Sequence, residues 1–135
     1  MYQTRYGRVC HNGVPFKERR RQGLRLPNAD RAVVAQEKIT GYLLSPANER
    51  GRPKARYFTG FGFSPDDWEV MANALIGLAM REEVTEMIET VYGIQYVIIG
   101  DIESPDGRDP RIRSVWQIDH GFDHPRLISA YRARD

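Results

Sequence analysis

Cationic side chains concentrate near the middle of this sequence, and their types are those that bind phosphate esters. Four of them stand within seven residues, at Arg50, Arg52, Lys54 and Arg56. Pro53 lies among them and suits the first turn of a helix, where its missing amide hydrogen has no cost. Because amide hydrogens at a helix start bind anions, this pattern favours a phosphate site. The alternative is a solvated basic loop whose charges pair with surface carboxylates.

A second group of polar side chains lies near the C-terminus, on two segments that alternate as β-strands do. Arg111 and Arg113 are two residues apart, so they project from the same face of a strand. The next segment carries Arg126, Ser129 and Tyr131, an unusually polar and aromatic end for a strand. Together the two segments place cations and hydroxyl groups on neighbouring strands.

Cleavage of RNA without a metal ion needs a group that takes the 2′-hydroxyl proton, a group that protonates the leaving 5′-oxygen, and cations over the phosphorane charge. We therefore predict catalytic roles for Lys54, Arg113, Arg126, Ser129 and Tyr131. We predict substrate binding by Arg50, Arg52, Arg56, Arg111 and Trp116. The alternatives are structural, with Trp116 and Tyr131 packed in the core or at a sheet edge and Arg113 in a cross-strand ion pair.

These side chains must be positioned by helices followed by a sheet. Apolar spacing and capping signals predict helices over 35–44, from Pro53 to about Phe61, and after Ser64. Alternation and turn signals predict strands over Glu83–Val91, Ile94–Gly100, Arg111–Ile118 and a fourth that ends at Tyr131, with a further short strand at Ala32–Val34. The expected fold is α+β, with about three N-terminal helices packed on one face of a four-stranded antiparallel β-meander.

The charge is unevenly distributed along the 135 residues. The net charge is +2, yet residues 1–25 contain seven basic residues against Glu18. We expect residues 1–25 to form a basic, flexible leader and residues 26–135 a single α+β domain. The leader is either an arm that contacts phosphates or an acidic partner, or a solvated tail.

Several protein classes are disfavoured by what the sequence lacks. No segment reaches the ~18 apolar residues of a membrane helix, and the basic N-terminal segment is unlike a secretory signal, so we expect a cytoplasmic protein with no membrane partner. Neither a Walker loop nor a G-x-G-x-x-G motif after a strand is present. The single cysteine excludes an internal disulfide framework, and the three histidines lack metal-ligand spacing, so we expect no cofactor and no metal.

Residues 26–131 resemble a bacterial domain family to which no activity is assigned. The shared pattern consists of Leu26–Ala29, Tyr42–Pro46, Gly51–Phe58, Val115–Trp116 and Arg126–Tyr131. In that family the loop before the Lys-Ala helix often carries a histidine, whereas this chain has Asn48 near that position. The substitution removes a titratable group from the loop and weakens an acid–base role for it.

The order of three helices and a meander that ends in Ser-Ala-Tyr also resembles the barnase, colicin and RelE-like group of ribonuclease toxins. That resemblance implies an RNA partner and a metal-independent endoribonuclease activity. The competing hypothesis is a non-enzymatic module that binds a small cognate protein, as in a two-gene toxin–antitoxin unit. The oligomeric state is left open by the sequence.

Overall fold

The computed structural model describes residues 23–134, and the predicted leader, residues 1–25, lies almost wholly outside that range. Three helices precede a four-stranded antiparallel sheet, which confirms the predicted α+β class. Helix α1 is one α-helical turn, Gln36–Lys38, that continues as a π-helical turn, Ile39–Leu43. Helices α2 and α3 span Arg52–Thr59 and Trp68–Arg81, and 3-10 turns occupy Ala29–Arg31 and Pro65–Asp67.

The start of the longest helix follows from its first residues. The Ser64 hydroxyl oxygen accepts a hydrogen bond of 3.2 Å from the Asp66 amide, as expected of a capping serine. The proline that follows Ser64 suits the first position of the turn. The predicted cap is therefore present, and α3 begins one short turn after it.

The four strands form the predicted meander, in the order β1-β2-β3-β4. They span Val84–Glu89, Gly93–Asp101, Arg111–Asp119 and Arg126–Arg132. The predicted strand at Ala32–Val34 is reduced to a parallel bridge, in which Val33 bonds with Pro125 and Leu127 beside β4. It stays this short because α1 begins only three residues after Val33.

One face of the sheet packs against the helices. Trp116 lies there with 0% exposure, and its indole N–H donates to the Ser114 hydroxyl, which donates to the Ile98 carbonyl. Residues from all three helices, including Leu43, Phe58 and Leu75, belong to the same core. This placement corrects the prediction that Trp116 binds substrate, because a fully buried ring cannot stack on a ligand.

The other face carries Arg113, Ser129 and Tyr131, and Val97 and Gln117 on the same face are buried. Cross-strand neighbours share a face, so the pairs Arg113–Tyr131 and Val115–Ser129 all project from this side. A β-bulge in β4 makes this possible, since the pairing skips Ile128. Regular alternation from the core residue Leu127 would have turned Ser129 and Tyr131 inward. The bulge therefore sets which β4 side chains can meet a ligand.

Candidate functional site

Helices α1 and α2 meet the polar face of the sheet beside β4. Of the predicted catalytic residues, Lys54, Ser129 and Tyr131 come together here with two residues that were not predicted, Lys38 and Tyr42. We call these five residues the tyrosine–lysine cluster. They are half-buried, apart from Tyr131, which is 36% exposed. A ligand can therefore reach the cluster while part of its water is excluded.

The Lys54 ammonium group lies between two tyrosine rings. Its nitrogen is 5.3 Å from the centroid of the Tyr42 ring and 5.9 Å from that of Tyr131. Lys38 approaches Tyr42 as well, with its nitrogen 5.4 Å from the ring centroid. Contacts of this kind hold a cation over the negative face of an aromatic ring. Lys54 thus links two phenol groups that come from different parts of the fold.

The phenol of Tyr42 is acidified by its neighbours. Partial burial alone would raise its pKa, but hydrogen bonds to Ser129 and Lys54 and the positive charges of Lys54 and Lys38 outweigh burial and lower it. A tyrosine with a lowered pKa spends more of its time as phenolate near neutral pH. The Tyr42 oxygen is consequently suited to accept a proton from a bound ligand.

Arg113 anchors the second phenol. Its Nε donates to the Tyr131 hydroxyl oxygen at 2.9 Å, and a terminal nitrogen donates to Glu86 at 3.0 Å. Burial tends to lower the pKa of Arg113, but these hydrogen bonds and charges raise it. The predicted cross-strand ion pair is thus present, with Glu86. Because the Tyr131 oxygen accepts from Arg113, its own proton remains available for donation.

The loop before α2 holds Tyr42 in place. Asn48 accepts hydrogen bonds at 2.9 Å from the amides of Arg50 and Gly51, and its own amide donates to the Gly41 carbonyl at 3.2 Å. Its backbone carbonyl also accepts from the Arg52 amide. The amides of Arg50, Gly51 and Arg52 are therefore already bonded to Asn48.

Gly51 packs directly on the backbone of Tyr42. A Cβ atom added there would lie 2.0 Å from the Tyr42 carbonyl oxygen and 3.2 Å from a carbon of its ring. The φ angle of Gly51 is −84°, which any residue adopts, so the constraint is space and not conformation. Only a residue without a side chain allows this approach between α1 and α2.

We expect Gly51→Ala to lower the free energy of unfolding by about 1–3 kcal/mol, because the added methyl group forces α1 and α2 apart. The matched control is Gly41→Ala, since a Cβ atom at Gly41 has no neighbour within 4 Å. That control should be as stable as the wild type or slightly more stable. Urea denaturation of both variants measures the difference, and equal stability of the two would contradict the tight contact.

The remaining predicted residues lie outside the cluster. The Arg126 guanidinium is held by Asp119, at 2.7 and 3.2 Å, near the other end of β4, and this bond lowers the pKa of Asp119. Arg126 was predicted to be catalytic, but it lies away from the cluster and does not contribute to it. Arg111 is exposed at the first position of β3. The exposed side chains of Arg50, Arg52 and Arg56 do not join the cluster.

Sequence reasoning missed Lys38 and Tyr42 of the cluster, and Glu86, which pairs with Arg113. Lys38 and Tyr42 are four residues apart in the predicted first helix, so their shared side of that helix was a readable signal. The contact of Tyr42 with Ser129 was not readable, because it depends on how α1 docks beside β4. Glu86 meets Arg113 from two strands away, at a register that the sequence does not define.

Within residues 23–134, no group of three or more His, Cys, Asp or Glu side chains is arranged to hold a metal ion. In the same range no helix has the length and apolar character needed to cross a membrane.

Comparison with known proteins gives a family and a fold. The family model described as "domain of unknown function (DUF6883)" matches residues 25–134, in agreement with the predicted resemblance to a domain family of this length. No curated protein matches the sequence. Among solved structures, the fold is similar to a chain of the "contact-dependent growth inhibition toxin - immunity protein complex" from Klebsiella pneumoniae 342, with a TM-score of 0.64 and 16% identity. The match covers 79% of this chain and 97% of that one.

Proposed function

We propose an RNA-cleaving function for this chain, which belongs to the DUF6883 family of domains. The observation that carries the proposal is the position of Lys54, whose ammonium group lies between the phenols of Tyr42 and Tyr131. An acceptor, a donor and a cation are the three groups that transfer of a phosphoryl group to a neighbouring 2′-hydroxyl requires. RNA is therefore the ligand that the cluster suits best.

In the first half of the proposed reaction, the Tyr42 phenolate takes the proton of a 2′-hydroxyl group. The freed 2′-oxygen forms a bond with the adjacent phosphorus, and negative charge grows on the phosphoryl oxygens. Lys54 and Lys38 lie beside Tyr42 and stabilise that charge. The Ser129 hydroxyl is hydrogen-bonded with Tyr42 and keeps its oxygen oriented towards the substrate.

In the second half, the bond between phosphorus and the 5′-oxygen breaks and Tyr131 gives its proton to that oxygen. The products are a 2′,3′-cyclic phosphate and a free 5′-hydroxyl group. The Arg113 Nε donates a hydrogen bond of 2.9 Å to the Tyr131 oxygen and holds Tyr131 in position for this transfer. Return of the proton from Tyr42 to Tyr131 through solvent restores both groups. No step of this sequence needs a cofactor.

The fold gives this proposal additional support. The similar solved chain comes from a complex of a growth inhibition toxin with its immunity protein. We propose that the domain is likewise a toxin-type ribonuclease of the barnase, colicin and RelE-like group, comprising residues 26–135. We also propose that it acts on cytoplasmic RNA and is neutralised by a small cognate protein.

A second candidate function follows from the same likeness, since a toxin–immunity complex contains a binding partner as well as a toxin. In this alternative the domain is a non-enzymatic module that binds its cognate protein, and the cluster only stabilises the junction of α1, α2 and β4. The half-buried ion pair of Arg113 with Glu86 is the feature that favours this reading.

Expression of the domain in a bacterial host separates the two functions. We expect growth arrest together with cleavage of cellular RNA, and fragments that end in 2′,3′-cyclic phosphate. Purified domain should give the same ends on total RNA in the presence of EDTA. A host that grows normally with intact RNA, together with inert purified protein, would overturn the nuclease and leave the binding module.

A further inference from the structure

Helix α2 carries a second concave surface on the side away from the tyrosine–lysine cluster. We call it the α2 groove; its volume is about 310 Å³, and it is lined by Leu44, Pro46, Arg52, Ala55, Arg56 and Thr59. The four helical residues follow a spacing of three to four, so they form one stripe of α2. The groove therefore combines an apolar floor with two guanidinium groups.

The two arginines of the groove carry charges that no carboxylate neutralises. Within residues 23–134, neither Arg52 nor Arg56 has an Asp or Glu oxygen within 4.0 Å. The Arg52 Nε donates to the Pro46 carbonyl at 3.0 Å, which holds its guanidinium at the edge of the groove. Arg113 and Arg126 differ from these two arginines, since each is bound to a carboxylate. An anion would supply the missing partner.

The groove and the cluster lie on opposite sides of the same helix. Lys54 is two residues from both Arg52 and Arg56, which turns it by roughly 160–200° from them, and its contacts place it against Tyr42 and Tyr131. A helix with its side chains is about 10 Å across. A strand that passes around the helix follows a path of roughly 10–16 Å, which at about 3.4 Å per nucleotide corresponds to about three to five nucleotides.

We propose that the α2 groove is a phosphate subsite for single-stranded RNA, located about three to five nucleotides from the bond that is cleaved. This inference rests on the proposed function and names its substrate class. To contact both surfaces, a nucleic acid must bend around a helix about 10 Å across. A single strand of RNA can bend this sharply, whereas a duplex cannot, since duplex DNA is stiff over about 50 nm. The apolar floor offers contact to the sugar or base that accompanies the bound phosphate.

The test compares oligonucleotides of two lengths that the domain can bind but not cleave. A hexanucleotide and a dinucleotide of RNA, each with 2′-deoxy sugars at the potential cleavage positions, report binding by fluorescence anisotropy at several salt concentrations. In the double variant Arg52→Gln/Arg56→Gln we expect about tenfold weaker binding of the hexanucleotide. The slope of log affinity against log salt should fall by about 1.4, because each phosphate contact to a single strand contributes about 0.7. Affinity for the dinucleotide should change by less than about twofold.

The control is Arg134→Gln, which removes an exposed cation outside the groove and should leave the salt slope for the hexanucleotide nearly unchanged. If the wild type cleaves RNA and the double variant keeps the salt slope of the wild type, the subsite proposal is wrong and the nuclease proposal is unaffected. Loss of slope in a domain that cleaves nothing supports the subsite and overturns the nuclease. If the wild type has no salt-dependent affinity for RNA, both fail, and the groove suits an acidic protein instead.

Discussion

Replacing Tyr42 with phenylalanine is expected to reduce RNA cleavage by about 10²–10⁴-fold, the usual contribution of a positioned proton-transfer group. Phenylalanine keeps the ring that Lys38 and Lys54 contact and removes only the hydroxyl group. The lost hydrogen bonds to Ser129 and Lys54 should cost about 1 kcal/mol of folding free energy. Loss of activity with a nearly unchanged melting temperature would identify the hydroxyl group as the active element.

Tyr57→Phe is the matched control for this substitution. Tyr57 is also half-buried and lies on α2, where its ring makes edge contacts with Phe58 and Phe61. Burial raises the pKa of Tyr57, in contrast to that of Tyr42, so it is a poor proton acceptor. Its variant should cleave RNA at close to the wild-type rate. Equal loss in both variants, or none in Tyr42→Phe, would contradict the role of Tyr42 as base.

The pH dependence provides a second readout for Tyr42. A base acts in its deprotonated form, so the rate should rise with pH, and the lowered pKa of Tyr42 places that rise below the pH of about 10 where an ordinary tyrosine titrates. Lys38→Gln removes a positive charge that lowers this pKa, so the rising limb should move to higher pH. A merely structural Tyr42 would leave the profile where it is.

Replacing Arg113 with alanine is expected to reduce cleavage by about 10²–10³-fold, as removal of a preorganised donor commonly does. Arg113 donates a hydrogen bond to the Tyr131 oxygen and so holds Tyr131 in position to donate its proton. Its ion pair with Glu86 has both side chains about one-third exposed, so we expect the loss to cost at most about 1 kcal/mol of stability. The melting temperature should therefore change little.

Arg113→Ala also removes the guanidinium that pairs with the Glu86 carboxylate. The unpaired negative charge of Glu86 near the cluster would then repel a phosphate. The double variant Arg113→Ala/Glu86→Gln separates the two causes. If the guanidinium is needed for the reaction, the double variant stays inactive. Recovery of activity in the double variant would show that Arg113 only neutralises Glu86.

The elements of this fold could be predicted because their signals are local. Alternation along β2 and β3 and the turn residues between them place each strand end within about two residues of the structure. The same alternation places Trp116 and Arg113 on opposite faces of the sheet. Because the helices cover the Trp116 face, one ligand cannot contact both residues. Assigning substrate binding to Trp116 overlooked that consequence.

The candidate site was less accessible to prediction because its contacts join distant parts of the chain. Lys54, Ser129 and Tyr131 were chosen by side-chain type, and the structure brings them together. Tyr42 appeared only as one letter of a family pattern, since its contact with Ser129 spans most of the chain. Arg126 was chosen on the same grounds as Arg113, but its partner Asp119 lies on the neighbouring strand and was not foreseen.

The bulge at Ile128 lets β4 hold one residue more than β3 needs as a partner without turning its hydroxyl groups inward. Deleting Ile128 would place Ser129 directly after Leu127, so regular alternation without a bulge would still turn Ser129 and Tyr131 outward. A point substitution at Ile128 preserves the count and therefore the outward direction of Ser129 and Tyr131. Relatives of this chain that lack the extra residue should therefore present both hydroxyl groups on the same face of the sheet.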